Sequence, residues 1–150
     1  MIGLFLGSTD FPKLILKSLI KKKQNFLIVD LTKKNVFKNN KNSHHISIGK
    51  FGSILKLLKD QRCKQILFAG KIDKPKISNL KLDIKGIYYL PRIIKAFKLG
   101  DAAILKEVIK IFIENKIQVI RSNYFNSELT LPKGNPSRIK PNKFDMLNIS

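Results

Sequence analysis

Residues 1–30 read MIGLFLGSTDFPKLILKSLIKKKQNFLIVD, and this stretch decides the fold. The apolar runs at 2–6 and 26–30 are short and continuous, which is typical of strands buried on both faces of a parallel sheet. Between them, Pro12 suits the first turn of a helix, and the apolar residues that follow it recur at helical spacing. Strand, loop, helix and strand in this order form a βαβ unit.

The remaining strands extend this plan toward the C-terminus. Residues 65–68 and 118–120 are apolar runs of strand length, and residues 46–48 are predicted to form a further short strand. Residues 32–45 are polar and basic and are predicted to form an exposed loop. The sequence therefore predicts an α/β fold, Rossmann-like, with a mostly parallel sheet flanked by helices.

Helical patterns separate these strands. Residues 54–58 predict a short helix, Leu90 and Pro91 are expected to open a second one, and Gly100 to end it. Asp101 is a suitable N-cap for a third helix with a broad apolar face. Residues 77–86 have no single period and are predicted to be irregular, with at most a short helix.

The length of 150 residues suits one domain. We assign residues 1–131 to an N-terminal α/β domain, and residues 132–150, rich in proline at their start, to a linker and the beginning of a second domain. No apolar run reaches the roughly 18 residues that a membrane span requires. The single cysteine, Cys63, is predicted to be buried and inert. These features favour a cytoplasmic protein.

The chain is strongly basic, with 30 Lys and Arg against 10 Asp and Glu and a formal net charge of +20. Such a field attracts nucleic acid, anionic lipid and phosphorylated ligands. Most of the basic residues are lysine, whereas base-reading proteins favour the planar fork of arginine. Enrichment in Lys, Asn and Ile also follows from an AT-rich genome. Both origins of the charge stay open, and specific nucleic-acid binding is not expected.

Two loops at predicted strand ends are the candidate binding segments. Gly7, Ser8 and Thr9 follow the first strand, and Ala69–Gly70–Lys71 end the 65–68 strand. Ligands of open α/β sheets bind at the carboxyl ends of strands, where backbone amides and lysines can hold phosphate. The alternative for each loop is a plain tight turn, since neither a GxGxxG nor a P-loop pattern occurs.

No catalytic centre is visible in the sequence. His44 and His45 are adjacent, so they point apart in a strand and have no acidic neighbour with which to share a metal. The carboxylates are sparse and form no paired motif. From the residues alone, the chain is a ligand-binding α/β domain in which no catalytic residue and no metal ligand is assigned.

Five short segments stand in order along the chain: Ile48–Gly52, Ala69–Pro75, Asp83–Gly86, Leu90–Pro91 and Gly100–Leu105. They resemble the N-terminal part of the LpxI-type UDP-2,3-diacylglucosamine pyrophosphatases, whose pattern is approximately GxxGK, AGxVxRP, DxxGL, LP and GDDALL. The family's IAGGG start appears as Phe5–Thr9, and its His-Glu pair after the fourth strand falls on Asn123 and Tyr124.

This resemblance implies a pyrophosphate hydrolase that releases UMP and lipid X from UDP-2,3-diacylglucosamine on the route to lipid A. It implies that the acylated UDP-sugar is bound by a set of loop residues: Gly7, Ser8, Thr9, Ala69, Gly70, Lys71, Asn123 and Tyr124. Members of the family are about twice this length and have two domains. The resemblance therefore places the catalytic groups, and the ligands of the Mg²⁺ cofactor, in a second domain outside these residues, so that this chain alone is expected to be catalytically incomplete.

Two alternatives stay open: a non-catalytic module that binds a nucleotide-like ligand, and a basic nucleic-acid-binding domain. Further expected partners are an anionic inner membrane, contacted peripherally, and either a second copy of the chain or a separate second domain.

Overall fold

The computed structural model describes residues 1–72 and 76–121. A parallel sheet of five strands, in the order β3-β2-β1-β4-β5, forms its centre. The strands are β1 (Ile2–Leu6), β2 (Phe26–Asp30), β3 (Ser43–His45), β4 (Gln65–Ala69) and β5 (Gln118–Ile120). The helices are α1 (Phe11–Lys21), α2 (Phe51–Asp60), α3 (Ile84–Leu99) and α4 (Asp101–Glu114), with a 3₁₀ turn at Ile77–Asn79. This arrangement confirms the predicted Rossmann-like α/β fold.

The opening βαβ unit forms as its pattern predicts. Strand β1 pairs in parallel with β2 and β4, so that Leu6 lies between Asp30 and Ala69. All residues of β1 and β2 are buried, which explains why both are continuous apolar runs with no alternation. Pro12 lies in the first turn of α1, where its missing amide hydrogen leaves no helical carbonyl unpaired.

The two faces of the sheet carry separate hydrophobic clusters. Helix α1 covers one face, with Ile15 and Leu19 packed on Leu4. Helices α2, α3 and α4 lie on the other face, where Phe112 packs against Phe5 with ring centroids 5.2 Å apart. Leu4 and Phe5 are neighbours in β1, so their side chains point to opposite faces of the sheet. Helix α1 packs on the Leu4 side and α3 on the Phe5 side, so the two helices lie on opposite sides of the sheet.

The third strand lies earlier than the sequence predicts. Residues 43–45 pair with β2, with Ser43 opposite Ile28. The predicted strand at residues 46–48 does not form. An edge strand needs only backbone partners on one side, and His44 and His45 remain exposed there. Ile46 instead packs against the core cluster that contains residues of α2. Its apolar side chain therefore suggested a strand where none forms.

Helix α3 begins at Ile84, six residues before the predicted start at Leu90. Pro91 therefore lies inside the helix, on its exposed side. The start is fixed by Asp83, whose side chain accepts a hydrogen bond from the Gly86 amide at 2.8 Å. The N-cap of α4 is Gly100 and not Asp101, which is the first helical residue and suits the positive end of the helix dipole.

Candidate ligand-binding site

The carboxyl ends of β1 and β4 bring the two predicted loops together. The Gly7 amide donates to the Ala69 carbonyl and the Ser8 amide to the Lys71 carbonyl, each at 2.9 Å. The Ser8 hydroxyl also donates to the Lys71 carbonyl at 3.3 Å. Two segments more than 60 positions apart thus form a single double loop, with Ser8, Thr9 and Lys71 exposed.

Close backbone approach explains the glycines of this double loop. A Cβ on Gly7 would lie 2.2 Å from the Lys71 carbonyl oxygen, closer than any side-chain carbon can come. Gly70 has φ +85°, and a Cβ there would meet Pro12 at 2.6 Å and the Thr9 hydroxyl at 2.9 Å. Both positions therefore need glycine, one for space and one also for its backbone conformation.

An apolar cavity of about 280 Å³ opens beside Gly70, on the side of the sheet that carries α3 and α4. Its floor includes Gly70 and Ile72, and Gly49 and Gly86 line it near the helix starts. Its walls are aliphatic and aromatic side chains of α3 and α4: Leu90, Ile93, Phe97, Ile104, Leu105 and Val108.

A second, basic pocket continues along the same edge of the sheet, past the ends of β2 and β3. Ile48 and Ile72 line both it and the apolar cavity, so the two spaces adjoin. Lys33, Lys50 and Lys81 lie around this second pocket, together with serine and asparagine side chains. None of the described residues that line it is acidic. A ligand that spans both spaces would meet positive charge at one end and hydrocarbon at the other.

Asp83 holds the helix starts that line these spaces. Its Oδ1 accepts from the amides of Gly52 at 3.1 Å and Gly86 at 2.8 Å, and its Oδ2 accepts from the Ser53 amide at 2.8 Å. Burial acts to raise the pKa of Asp83, but the backbone hydrogen bonds from Gly86, Ser53 and Gly52 outweigh it, and the pKa lies below its ordinary value. One carboxylate therefore caps both α2 and α3.

The same junction explains a further glycine of the family-like motifs. A Cβ on Gly86 would lie 2.0 Å from the Gly49 carbonyl oxygen, so α3 touches the loop before α2 with no side chain between them. The Gly49–Gly52 and Asp83–Gly86 segments, separate in sequence, are thus the two halves of one helix junction.

The outer wall of the apolar cavity is held by an ion-pair network between α3 and α4. Arg92 donates from Nε to Glu107 at 2.6 Å and from its two terminal nitrogens to Glu114 at 2.8 and 2.7 Å. The hydrogen bonds from Arg92 hold the pKa of Glu114 below its ordinary value. Planar guanidinium geometry makes this a rigid brace between the helices.

Asp30, at the carboxyl end of β2, is fully buried. In dinucleotide-binding folds an acidic residue after the second strand accepts from a ribose. Here both carboxylate oxygens are already used. Oδ1 accepts from the Thr32 amide at 2.8 Å and its hydroxyl at 2.6 Å, and Oδ2 accepts from the Phe37 amide at 2.9 Å. Asp30 therefore shapes the loop after β2 instead of facing a ligand.

The predicted site residues thus fall into two groups. Gly7, Ser8, Thr9, Ala69, Gly70 and Lys71 are brought together in the double loop, where Gly70 also lines the apolar cavity. Asn123 and Tyr124 lie outside the described residues. Sequence reasoning missed Lys33, Lys50, Lys81 and the double cap of Asp83. Lysines spaced this widely give no motif, but aspartate is a preferred N-cap residue, so Asp83 could have signalled the start of a helix.

Two absences concern only residues 1–72 and 76–121. Among them, no three His, Cys, Asp or Glu side chains are placed to share a metal ion. No helix there is long and apolar enough to cross a bilayer. Cys63 is buried as predicted, and its burial raises the pKa of its thiol.

Comparison with known proteins agrees with the resemblance of the motifs. The model of the LpxI N-terminal domain matches residues 1–129. The UDP-2,3-diacylglucosamine pyrophosphatase LpxI of Caulobacter vibrioides is 33% identical over 104 residues, which cover 69% of this chain and 37% of that protein. The chain thus matches little more than a third of the length of this curated relative. With a family model that spans most of its residues, the chain belongs to the LpxI family and carries that family's N-terminal domain.

Proposed function

We propose that this domain binds an acylated UDP-sugar and presents it for hydrolysis of its pyrophosphate. One observation carries the proposal: a basic pocket and an apolar cavity adjoin at the carboxyl edge of the sheet and share Ile48 and Ile72. Such a pair of spaces suits a ligand with a charged diphosphate and a hydrocarbon chain. UDP-2,3-diacylglucosamine, named in the relative from Caulobacter vibrioides, has both parts.

In this proposal each part of the ligand has a place. The diphosphate lies against Lys50 and Lys81, whose ammonium groups offset its charge. An acyl chain enters the cavity between α3 and α4, where burial of apolar surface stabilises the complex by roughly 25 cal/mol per Å². On the exposed side of the double loop, the Lys71 ammonium adds a hydrogen-bond donor and the Ser8 hydroxyl oxygen adds an acceptor beside the sugar. Asn123 and Tyr124 stay candidates for the same role.

Bond breaking is assigned to other groups. Mg²⁺, which the family resemblance implies, would stabilise charge on the phosphoryl oxygens while water attacks phosphorus. We propose that its ligands and the catalytic carboxylates belong to a second domain. The domain described here would orient the substrate and exclude water from its acyl chain. Because an acylated substrate resides in a bilayer, we place this work in the cytoplasm at the surface of an anionic inner membrane.

Binding to two UDP-sugars tests the proposal. We expect the chain to bind UDP-2,3-diacylglucosamine at least about tenfold more tightly than UDP-N-acetylglucosamine in calorimetric titrations, because only the former fills the apolar cavity. Equal affinity for both would show that the apolar cavity does not bind an acyl chain. If folded protein binds neither UDP-sugar, the proposal is overturned.

A parallel assay of UMP release, with Mg²⁺ or Mn²⁺ present, distinguishes the proposed substrate-binding function from the two alternative functions. Binding without UMP release from this chain, and release once a second domain is added, is the expected result. Binding that never leads to release with any second domain would favour a non-catalytic ligand-binding module. Salt-sensitive binding to any DNA, with no binding of uridine nucleotides, would favour the hypothesis of a basic nucleic-acid-binding domain.

A further inference from the structure

Helix α3 exposes a stripe of apolar side chains along the side that faces away from the apolar cavity. Ile84 is 87% exposed, Ile87 is 60% exposed and Tyr88 is 72% exposed. With the exposed Pro91 they recur at intervals of three and four residues, so they share one face of the helix. We call these four residues the outer stripe. Exposed apolar residues grouped in this way mark an interaction surface.

The same face becomes basic in the second half of the helix. Lys95 and Lys98 are exposed and continue the outer stripe, and Lys85 lies at its margin. Helix α3 contains no acidic residue, and its one arginine, Arg92, is already paired with Glu107 and Glu114. The outer stripe therefore combines apolar surface with lysines that have no acidic partner within α3.

This combination decides between partners. A second copy docked through the same stripe would bring the Lys95 and Lys98 side chains of both copies together, and each copy already has a net charge of +20. An anionic bilayer surface instead attracts the lysines, while isoleucine and tyrosine side chains enter the interface between head groups and acyl chains. Charge complementarity thus favours lipid over another copy of the chain.

We propose that the outer stripe of α3 docks the protein onto an anionic membrane surface. The helix would lie in the plane of the interface, with Ile84, Ile87 and Tyr88 inserted and its lysines against lipid phosphates. Its opposite side, with Leu90 and Ile93, lines the apolar cavity. A single helix would therefore separate the bilayer from the space proposed for an acyl chain. Docking itself does not depend on that proposal, because it needs no substrate.

Co-sedimentation with vesicles tests this docking in the absence of any UDP-sugar. The probe is vesicles of equal parts phosphatidylcholine and phosphatidylglycerol, compared with vesicles of phosphatidylcholine alone. We expect the chain to bind the anionic vesicles and the Ile87→Asp variant to bind them at least about tenfold more weakly, since it loses buried apolar surface and adds a repelled charge.

The matched control is Ile20→Asp. Ile20 is 58% exposed, close to the 60% of Ile87, and it also lies on a lysine-rich helix, but α1 is on the opposite face of the sheet. We expect this variant to bind like the unaltered chain. Far-ultraviolet circular dichroism and thermal melting verify that both variants are folded, which exposed positions should allow.

Four results would overturn the docking proposal. Two are no binding of the unaltered chain to anionic vesicles and unchanged binding by Ile87→Asp. The third is an equal loss in Ile20→Asp, which would mean that diffuse positive charge, and not the outer stripe, attracts the lipid. The fourth is a stable dimer in solution that Ile87→Asp dissociates, which would show that a second copy occupies the stripe. None of these results bears on binding of soluble UDP-sugars, which is measured separately.

Discussion

Asp83 accepts a hydrogen bond from the amide of Gly52 at 3.1 Å, although the two residues are 31 positions apart. Gly52 belongs to the first turn of α2, and Asp83 precedes the first residue of α3. One carboxylate therefore sets the starts of both helices relative to each other. The helices line the apolar cavity, so this bond links the shape of the site to the stability of the fold.

Removal of this carboxylate should destabilise the domain. We expect Asp83→Ala to lower the free energy of unfolding by about 2 kcal/mol, because it removes a helix cap and leaves three amides without their acceptor. Urea unfolding measures the change. Asp60→Asn, which neutralises the last residue of α2, is the control and should leave stability within about 0.5 kcal/mol. A small effect of Asp83→Ala would show that water replaces the cap.

The contribution of Asp83 should also depend on pH. Its pKa in the folded protein is depressed, so its stabilisation is complete above the unfolded pKa of about 3.9 and is lost as the pH falls through the folded pKa. We expect the difference in unfolding free energy between the unaltered chain and Asp83→Asn to be constant above about pH 5 and to shrink below about pH 4. A difference that grows on acidification would contradict the depressed pKa.

A comparison of two glycines with positive φ distinguishes the energetic cost of backbone strain from that of steric crowding. Gly70 (φ +85°) would place a Cβ 2.6 Å from Pro12, whereas Gly100 (φ +105°) has nothing within 4 Å. We expect Gly100→Ala to cost about 2 kcal/mol, for the backbone alone, because φ +105° with ψ 179° is a conformation that essentially only glycine adopts. Gly70→Ala should cost at least about 3 kcal/mol and weaken UDP-sugar binding, because the double loop must also shift. Equal costs in thermal or urea unfolding would mean that the loop yields easily.

The lysines of the basic pocket provide a test of ligand placement. We expect the double variant Lys50→Gln, Lys81→Gln to bind UDP-sugar about tenfold more weakly, because two charges near the diphosphate are removed. Lys17→Gln, on α1 across the sheet, should bind normally. Calorimetric titration at low and high salt measures both, and the loss should be smaller at high salt. An equal loss in Lys17→Gln would point to long-range charge only.

The parts of the fold that could be predicted are those decided by local pattern. Buried strands such as Ile2–Leu6 and Phe26–Asp30 are recognisable as continuous apolar runs. Helix α1 is recognisable because its apolar residues recur at helical spacing. Strand β3 could not be found in this way, because an exposed edge strand is fixed by its backbone pairing with β2 and not by its side chains. The start of α3 was hidden by Pro91, a residue that usually opens helices.

The candidate site was foreseen in its glycine loops but not in its pockets. Gly7 and Gly70 follow strands directly, so their meeting at one edge follows from parallel pairing. Lys50 and Lys81 line one pocket beside the junction at which Asp83 accepts a hydrogen bond from Ser53, a contact between residues 30 positions apart. Contacts of this kind leave no periodicity in a single sequence, and the family resemblance pointed to the segments without explaining them.

The two outer strands of the sheet are short: β3 and β5 each have three residues, against five in β1, β2 and β4. A long bare edge would offer a template on which another chain could pair and start an aggregate. Among the described residues, each edge gives at most a few free backbone groups, beside polar side chains such as His44 and Gln118. Edge-to-edge growth should therefore start less readily from these strands than from edges of full length, even at high protein concentration.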